Sequence, residues 1–313
     1  MTVKQLQEDI LQLKKKNDVV ILAHYYQPLE IQEIADFLGG SLELSRTAKK
    51  APTEYIIFAG VDFMAETASM INQDKHVLIP NYEACCPMAA FLTPEMVREF
   101  KKEHPRLPVV VYINSTAAVK AESDICCTSS NAVKIVEKIS KEFNVEAVLF
   151  GPDANLADYA EQLSKVETIK MPDNGHCYVH SQIKVAHIRD VQETYPNAKL
   201  LVHPECIREV RELSDFVGST AQMYNTVKNS TSEEKEFIIG TEIGLLERMA
   251  QDFPEKNFFP VMDKLICYQM KKHNLELIKY LLKNLDDKAF EVKVPSEIAR
   301  RAIKPIEKML NFS

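Results

Sequence analysis

The chain has 313 residues, of which 46% are hydrophobic and 27% charged, and its formal net charge is −7. This acidic balance, with no basic face to offset it, argues against a nucleic-acid partner. No apolar stretch approaches the roughly 20 residues that cross a bilayer, and the N-terminus lacks the apolar core of a signal peptide. We therefore expect a cytoplasmic protein without a membrane partner, whose seven cysteines are thiols rather than disulfides.

The first 90 residues combine an amphipathic helix with four landmarks. Val3, Leu6 and Ile10 recur at helical spacing and predict a helix at the N-terminus. Three apolar strands and one small-residue turn follow it. In chain order, the landmarks are ILAHYYQ at 21–27, Gly40-Ser41, IIFAGVDFMAE at 56–66, and VLIP at 77–80 with Cys86 beyond it.

The same landmarks recur twice more, in the same order, at intervals of about 90 residues. Such a period indicates three copies of one structural unit. The second copy has VVYINST at 110–116, Ser129-Ser130, AVLFGPDANLA at 147–157, and TIKMP at 168–172 before Cys177. The third has LLVHPEC at 200–206, Gly218-Ser219-Thr220, FIIGTEIGLLE at 237–247, and NFFP at 257–260 before Cys267.

The segments between the landmarks have helical patterns. Thr93-Pro94-Glu95 combines an N-cap residue, a proline and an acid, which predicts the start of a helix. Residues 131–143 and 181–195 predict further helices. Residues 270–282 and 295–310 predict two more beyond the third unit, which we expect to pack back on the first.

Apolar strands that alternate with amphipathic helices indicate parallel sheets covered on both faces. We therefore predict an α/β fold of three homologous parallel-sheet domains around a pseudo-threefold axis. Ligands of such sheets bind beyond the carboxyl ends of the strands, where the landmarks lie, so we also predict one central active-site cavity. The expected domains are residues 1–87 (completed by C-terminal helices within 268–313), 88–178 and 179–267.

Three cysteines, Cys86, Cys177 and Cys267, share one position in the repeat, 91 and 90 residues apart. Buried thiols, a zinc ion with three sulfurs and a water, and an iron–sulfur cluster would each account for them. Structural zinc normally has four protein ligands, often in CxxC pairs, and no CxxC occurs here. Three cysteines on a cluster would leave one iron open to a substrate oxygen. The other cysteines fall outside the register and are interpreted as packing residues: Cys85, Cys126, Cys127 and Cys206.

Polar side chains at the strand ends supply two further sets of candidates. Each alone could cap a helix or support a neighbour, but their placement around one cavity favours catalysis and anion binding. The chain contains neither GxxxxGK[ST] nor GxGxxG, so the anion is expected to be small. Candidates for proton transfer are His24, Tyr26, Tyr112, His203 and Glu205. Candidates for binding carboxylate or phosphate oxygens are Ser41, Asn114, Ser129 and Thr220.

The motifs HYYQ, GVDFMAE, ACCPMA, YINST, CTSSNAV, FGPD, NGHC, VHPEC, VGSTAQM and IGTEIG lie between His24 and Gly244, and Cys267 follows them. In this order they resemble the quinolinate synthase family over nearly the whole chain. The resemblance implies a cytosolic enzyme of three α/β domains with one [4Fe–4S] cluster per chain. It also implies condensation of iminoaspartate with dihydroxyacetone phosphate to quinolinate, with release of phosphate and two waters, in NAD biosynthesis.

The resemblance implies a role for each matching residue. The cluster ligands would be Cys86, Cys177 and Cys267. Catalysis would fall to His24, Tyr26, Tyr112 and Glu205. Substrate contacts would come from His24, Ser41, Tyr112, Asn114, Ser129, His180, His203, Glu205 and Thr220. An L-aspartate oxidase that supplies iminoaspartate is a possible functional partner. The repeat alone also permits another iron–sulfur-dependent hydroxy-acid dehydratase, or a non-catalytic protein that binds a metal or a phosphorylated ligand.

Overall fold

A computed structural model describes residues 2–312 of the chain. It contains three four-stranded sheets in which every strand pair is parallel. In each sheet the strands lie in the order second, first, third, fourth along their repeat. The predicted α/β fold with three similar units is therefore confirmed.

The first repeat shows why the strands are long apolar runs. Its first strand, with the sequence VVILAH, is buried along its whole length because helices cover both faces of the sheet. The elements of this repeat are α1 (Val3–Lys16), β1 (Val19–His24), α2 (Leu29–Gln32), β2 (Phe37–Gly39), α3 (Ser41–Lys50), β3 (Tyr55–Ala59), α4 (Asp62–Ile71) and β4 (His76–Leu78).

The second repeat begins where the sequence predicts a helix start. Thr93 caps the helix by accepting a hydrogen bond from the backbone N–H of Met96. The elements are α5 (Pro94–Glu103), β5 (Val109–Tyr112), α6 (Ala117–Lys120), β6 (Ile125–Cys127), α7 (Ala132–Phe143), β7 (Ala147–Gly151), α8 (Ala154–Ser164) and β8 (Glu167–Lys170).

The third repeat has the same alternation, followed by two C-terminal helices. Its elements are α9 (Val185–Thr194), β9 (Lys199–Val202), α10 (Arg208–Arg211), β10 (Phe216–Val217), α11 (Thr220–Lys228), β11 (Glu236–Gly240), α12 (Ile243–Asp252) and β12 (Asn257–Pro260), and then α13 (Leu275–Lys283) and α14 (Ser296–Phe312). Short 3₁₀ turns occur at Pro87–Phe91, His180–Gln182, Met270–Lys272 and Lys288–Phe290.

Two predicted helices begin later than the sequence pattern suggests. The helix predicted from residue 181 begins at Val185, and the one predicted from residue 270 begins at Leu275. In both places the chain first makes a 3₁₀ turn just after a repeated cysteine. Apolar spacing alone does not separate such a turn from the helix that follows it.

A hydrogen bond that the landmarks did not include recurs in all three repeats. An aspartate just before the second strand accepts a hydrogen bond from a backbone N–H in the first strand, 15 residues earlier. This recurrence supports a common origin for the local structure of the three units. The donor–acceptor distances are 2.8 Å for Ile21 to Asp36, 2.7 Å for Val109 to Asp124 and 2.7 Å for Leu200 to Asp215.

The C-terminal segment joins the first two repeats. Helix α13 packs against α1, whereas α14 packs against α6 and β6 and also contacts α4. One large apolar cluster accordingly combines side chains of the first two repeats with Ile306 and Met309 of α14. Among residues 2–312, no helix has both the length and the apolar character needed to cross a bilayer.

Candidate functional site

The three repeats surround one cavity, in which the centres of water-sized molecules can occupy about 80 Å³. Side chains that follow the first strand of each repeat line it, as expected for ligand sites at the carboxyl ends of parallel strands. The structure brings every predicted site residue to this cavity. They are His24, Tyr26, Ser41, Cys86, Tyr112, Asn114, Ser129, Cys177, His180, His203, Glu205, Thr220 and Cys267.

Three thiols meet on one side of the cavity. Burial raises the pKa of Cys86, Cys177 and Cys267, and mutual repulsion adds to this effect for Cys86 and Cys177. Backbone N–H groups of the turn after each cysteine oppose the shift by donating hydrogen bonds to sulfur. The 3₁₀ turns that interrupt the predicted helices thus supply donors to the sulfurs.

This arrangement fits a metal centre with an incomplete protein ligand set. Three sulfurs converge, backbone N–H groups face them, and soft sulfur ligands suit iron–sulfur clusters and zinc. The remaining cysteines lie away from the cavity lining, and all seven are free. Cys85 is exposed, whereas Cys126, Cys127 and Cys206 are buried in the core.

A chain of hydrogen bonds runs along the cavity wall from Tyr112 to Tyr26. Tyr112 donates its hydroxyl hydrogen to Glu205 Oε1 at 2.6 Å, and Glu205 Oε2 lies 2.7 Å from His180 Nδ1. His180 Nε2 lies 2.8 Å from Thr241 Oγ1, which lies 2.6 Å from the Tyr26 hydroxyl. Five side chains from three repeats therefore form one continuous path along which a proton can move.

The middle of this path lies beside Cys177. Ligand atoms of Cys177, His180 and Glu205 all lie within 4.8 Å of one another. The hydrogen-bonded groups and the Cys177 thiol consequently face the same small volume, where a bound molecule would touch both.

Burial controls the charges of these groups. It raises the pKa of Tyr26 and Tyr112 well above the ordinary value, so both hydroxyls stay protonated. Burial also opposes ionisation of Glu205. However, hydrogen bonds from His180 and Tyr112 lower the pKa of that carboxyl below its usual range. Glu205 is therefore the negative charge of the path.

Two histidines occupy equivalent turns in the first and third repeats. His24 Nδ1 accepts a hydrogen bond from the backbone N–H of Tyr26, and His203 Nδ1 accepts one from that of Glu205, both at 3.2 Å. Burial lowers the pKa of each imidazole to about 3. Both rings are therefore neutral near pH 7, and their Nε2–H groups are available as donors.

Three hydroxyl-bearing residues lie where helices begin. Ser41 and Thr220 are the first residues of α3 and α11, and Ser129 lies just before α7 and hydrogen-bonds to Tyr112. Helix N-termini attract anions. Among the described residues, Asn114 Oδ1 is buried without a hydrogen-bond partner, which leaves it available to a ligand.

Thr241 is a member of the path that the sequence interpretation missed. Its position in the repeat holds Val61 in the first unit and Pro152 in the second. A single polar residue at an otherwise apolar position was the available signal.

A chain of three α/β repeats with thiols, acid–base groups and helix N-termini around one buried cavity defines an enzyme of small anionic substrates. The family model for quinolinate synthetase A protein matches residues 8–311. The Pyrococcus abyssi protein named quinolinate synthase is 46% identical to this chain, over 98% of this chain and 99% of the relative. The protein of the same name from Methanothermobacter thermautotrophicus is also 46% identical, over 99% of each chain. The Thermotoga maritima protein of that name is 44% identical, over 97% of this chain and 99% of the relative.

The chain belongs to the quinolinate synthetase A family. The resemblance drawn from the sequence motifs is thereby confirmed, and the match extends over nearly the whole chain.

Proposed function

We propose that the chain is a quinolinate synthase that condenses iminoaspartate with dihydroxyacetone phosphate. The products are quinolinate, inorganic phosphate and two waters, as needed for the biosynthesis of NAD. The observation that carries this proposal is the single cavity into which three repeats direct thiols, a continuous acid–base path and helix N-termini. No relative reported above is named a hydroxy-acid dehydratase, so that alternative is not favoured.

Cys86, Cys177 and Cys267 would hold a [4Fe–4S] cluster, one per chain. The convergence of their sulfurs and the N–H donors that face them support this assignment. When bound, such a cluster would supply a Lewis acid at the iron without a protein ligand. Zinc on the same three sulfurs is the competing assignment.

Substrate oxygens would be held by the groups on the other walls. Ser41, Ser129 and Thr220 offer hydroxyls beside helix N-termini, and Asn114 offers a free buried amide oxygen. The neutral imidazoles of His24 and His203 would donate from Nε2. The hydroxyl and imidazole donors suit the carboxylates of iminoaspartate and the phosphate of dihydroxyacetone phosphate. Asn114 Oδ1 would instead accept a hydrogen bond from an N–H or O–H group of a substrate.

Proton transfer would use the path from Tyr112 to Tyr26. Glu205, His180 and Thr241 have the order carboxylate, imidazole, hydroxyl, which resembles the triad of serine hydrolases. Glu205 would stabilise the His180 ring whenever the ring takes up a proton. Tyr26 and Tyr112 stay protonated and would act as acids at the two ends. His24 lies against Tyr26, with 4.6 Å between the ring centroids, and would orient it.

The thiols and the lability of iminoaspartate also bear on the cellular compartment of the enzyme and on the source of its substrate. Free thiol ligands favour the reducing cytoplasm. Iminoaspartate hydrolyses readily in water, so an enzyme that oxidises L-aspartate is the expected source and a functional partner. The buried cavity would protect the imine from water during condensation.

The proposal is tested by anaerobic reconstitution with iron and sulfide, followed by an assay with dihydroxyacetone phosphate and iminoaspartate generated in the reaction. We expect a brown protein with about four irons and four sulfides per chain, and quinolinate and phosphate in equal amounts. A brown protein that makes no quinolinate would contradict the activity. A colourless protein that takes up only zinc under these conditions would contradict the cluster.

A further inference from the structure

Three carboxylates occupy equivalent positions behind the cysteines. Asp62, Asp153 and Glu242 each lie two residues after the glycine of the third landmark, where the third strand of the repeat gives way to a helix. None was a predicted site residue. We call these three the carboxylate collar.

Every member of the collar accepts a hydrogen bond from the backbone N–H of its cysteine. The donor–acceptor distance is the same in the three repeats, although the sequences of the loops differ. It is 3.1 Å for Cys86 to Asp62, for Cys177 to Asp153 and for Cys267 to Glu242.

Each carboxylate also binds the first turn of its own helix. The donors are the backbone N–H groups of Phe63 at 2.8 Å, Leu156 at 2.7 Å and Gly244 at 2.7 Å, for Asp62, Asp153 and Glu242 in turn. One side chain thus joins a rigid helix to the loop that presents the sulfur. A cysteine loop held in this way has less freedom to shift than one held by its own turn.

Capping alone does not account for the choice of residue. Asp153 and Glu242 are fully buried, and a buried carboxylate is costly compared with a neutral cap. Asp153 has no ion pair within residues 2–312, whereas Glu242 lies 3.0 Å from Lys271 Nζ. In both residues, one carboxylate oxygen accepts a hydrogen bond from the helix N–H and the other accepts one from the cysteine N–H. An amide has only one accepting oxygen, so it cannot satisfy two donors that bind different oxygens of the carboxylate.

We propose that the carboxylate collar comprises positioning residues that set the spacing of Cys86, Cys177 and Cys267 for the metal centre. The inference rests on the proposed cluster and extends it to residues that would not touch the cluster. Asp62 differs from the others in a useful way, because a single oxygen, Oδ1, accepts both hydrogen bonds. Its amide analogue can therefore keep both contacts.

The test compares Asp153→Asn with Asp62→Asn in the reconstituted full-length protein. We measure iron and sulfide per chain, and the rate at which a chelator removes iron under anaerobic conditions. We expect Asp153→Asn to lose iron about tenfold faster or more, as for other residues that orient metal ligands. Asp62→Asn should lose it at nearly the parental rate. Glu242→Gln repeats the test at a second cysteine loop. If either Asp153→Asn or Glu242→Gln fails to fold, the other variant still tests the inference.

Asn274→Ala controls for the simple loss of a helix cap. Asn274 caps α13 by accepting from the backbone N–H of Leu277, and it accepts no hydrogen bond from a cysteine N–H. It should lower the unfolding temperature without a change in iron release. Iron release from Asp153→Asn and Glu242→Gln at the parental rate would overturn the inference and leave the proposed cluster intact. A parent protein that binds no iron would overturn both.

Discussion

The two sides of the cavity have different relations to the threefold repeat. On the cysteine side the same contacts occur three times, each with a carboxylate oxygen 3.1 Å from a cysteine N–H. In the rest of the lining, the strand-end turns read HYY, YIN and HPE at positions 24–26, 112–114 and 203–205. Repetition has thus produced a symmetric set of thiols, whereas the strand-end turns have diverged into an asymmetric set of polar groups. The proposed function would use both, with a symmetric metal centre facing an asymmetric substrate.

The largest expected effect comes from breaking the symmetric side. Cys177→Ala removes one of three equivalent sulfurs, so we expect reconstituted protein to hold no stable [4Fe–4S] cluster and to make no quinolinate. Cys126→Ala is the matched control, because Cys126 is buried in β6 outside the cavity lining and should leave the iron content unchanged. Iron and sulfide analysis with visible absorption decides the matter. A full cluster in Cys177→Ala would remove it from the ligand set.

The next effect comes from the asymmetric side. Glu205→Gln removes the negative charge that Tyr112 and His180 share, but leaves all three sulfurs in place. We expect normal iron content with turnover reduced about a hundredfold or more. Glu209→Gln, on the exposed face of α10, should leave both quantities unchanged. Turnover of Glu205→Gln near that of the parent would show that the path does not depend on its carboxylate.

The sequence was most informative about the cysteine side of the cavity, where the three repeats have equivalent residues. Cysteine spacing and strand landmarks predicted the three sheets and the common cavity, because a residue that must occupy the same place three times leaves a period in the sequence. The 3₁₀ turns after Cys177 and Cys267 were missed, since their apolar spacing continues into α9 and α13.

The hydrogen-bond path could be predicted only in part. Tyr26, Tyr112 and Glu205 stand at strand ends and were found by position. Thr241 was not, because a threonine has no chemical signature until its two partners are placed beside it. The carboxylate collar was also missed, since an acid at the start of a helix is ordinarily a cap.

A smaller effect is expected when the path is interrupted at its centre. Thr241→Val keeps the shape of the side chain but removes the hydroxyl between Tyr26 and His180. The loss of this bond should lower kcat about tenfold, with little change in KM. Thr231→Val, on the surface, is the control. A raised KM with parental kcat would instead make Thr241 a substrate contact.

The smallest expected effect is on the pH dependence of stability, to which His203 at a strand end contributes. Burial lowers the pKa of His203 to about 3 in the folded protein, against 6.5 for an unperturbed histidine, although the nearby Glu205 opposes the shift. As the pH falls below about 6.5, the unfolded chain therefore takes up the proton first. The contribution of His203 to the free energy of unfolding is complete above that pH and declines as the pH drops toward 3.

At pH 5 the loss amounts to about 2 kcal/mol relative to pH 7. His203→Asn replaces the titrating ring with an amide whose oxygen can still accept the N–H of Glu205. The variant should therefore lose less stability between pH 7 and pH 5 than the parent, by about that amount. Urea unfolding of both proteins under anaerobic conditions gives this difference, and a metal centre common to both cancels from it. Equal losses would mean that His203 keeps an ordinary pKa in the folded protein, and that burial does not outweigh the opposing effect of Glu205.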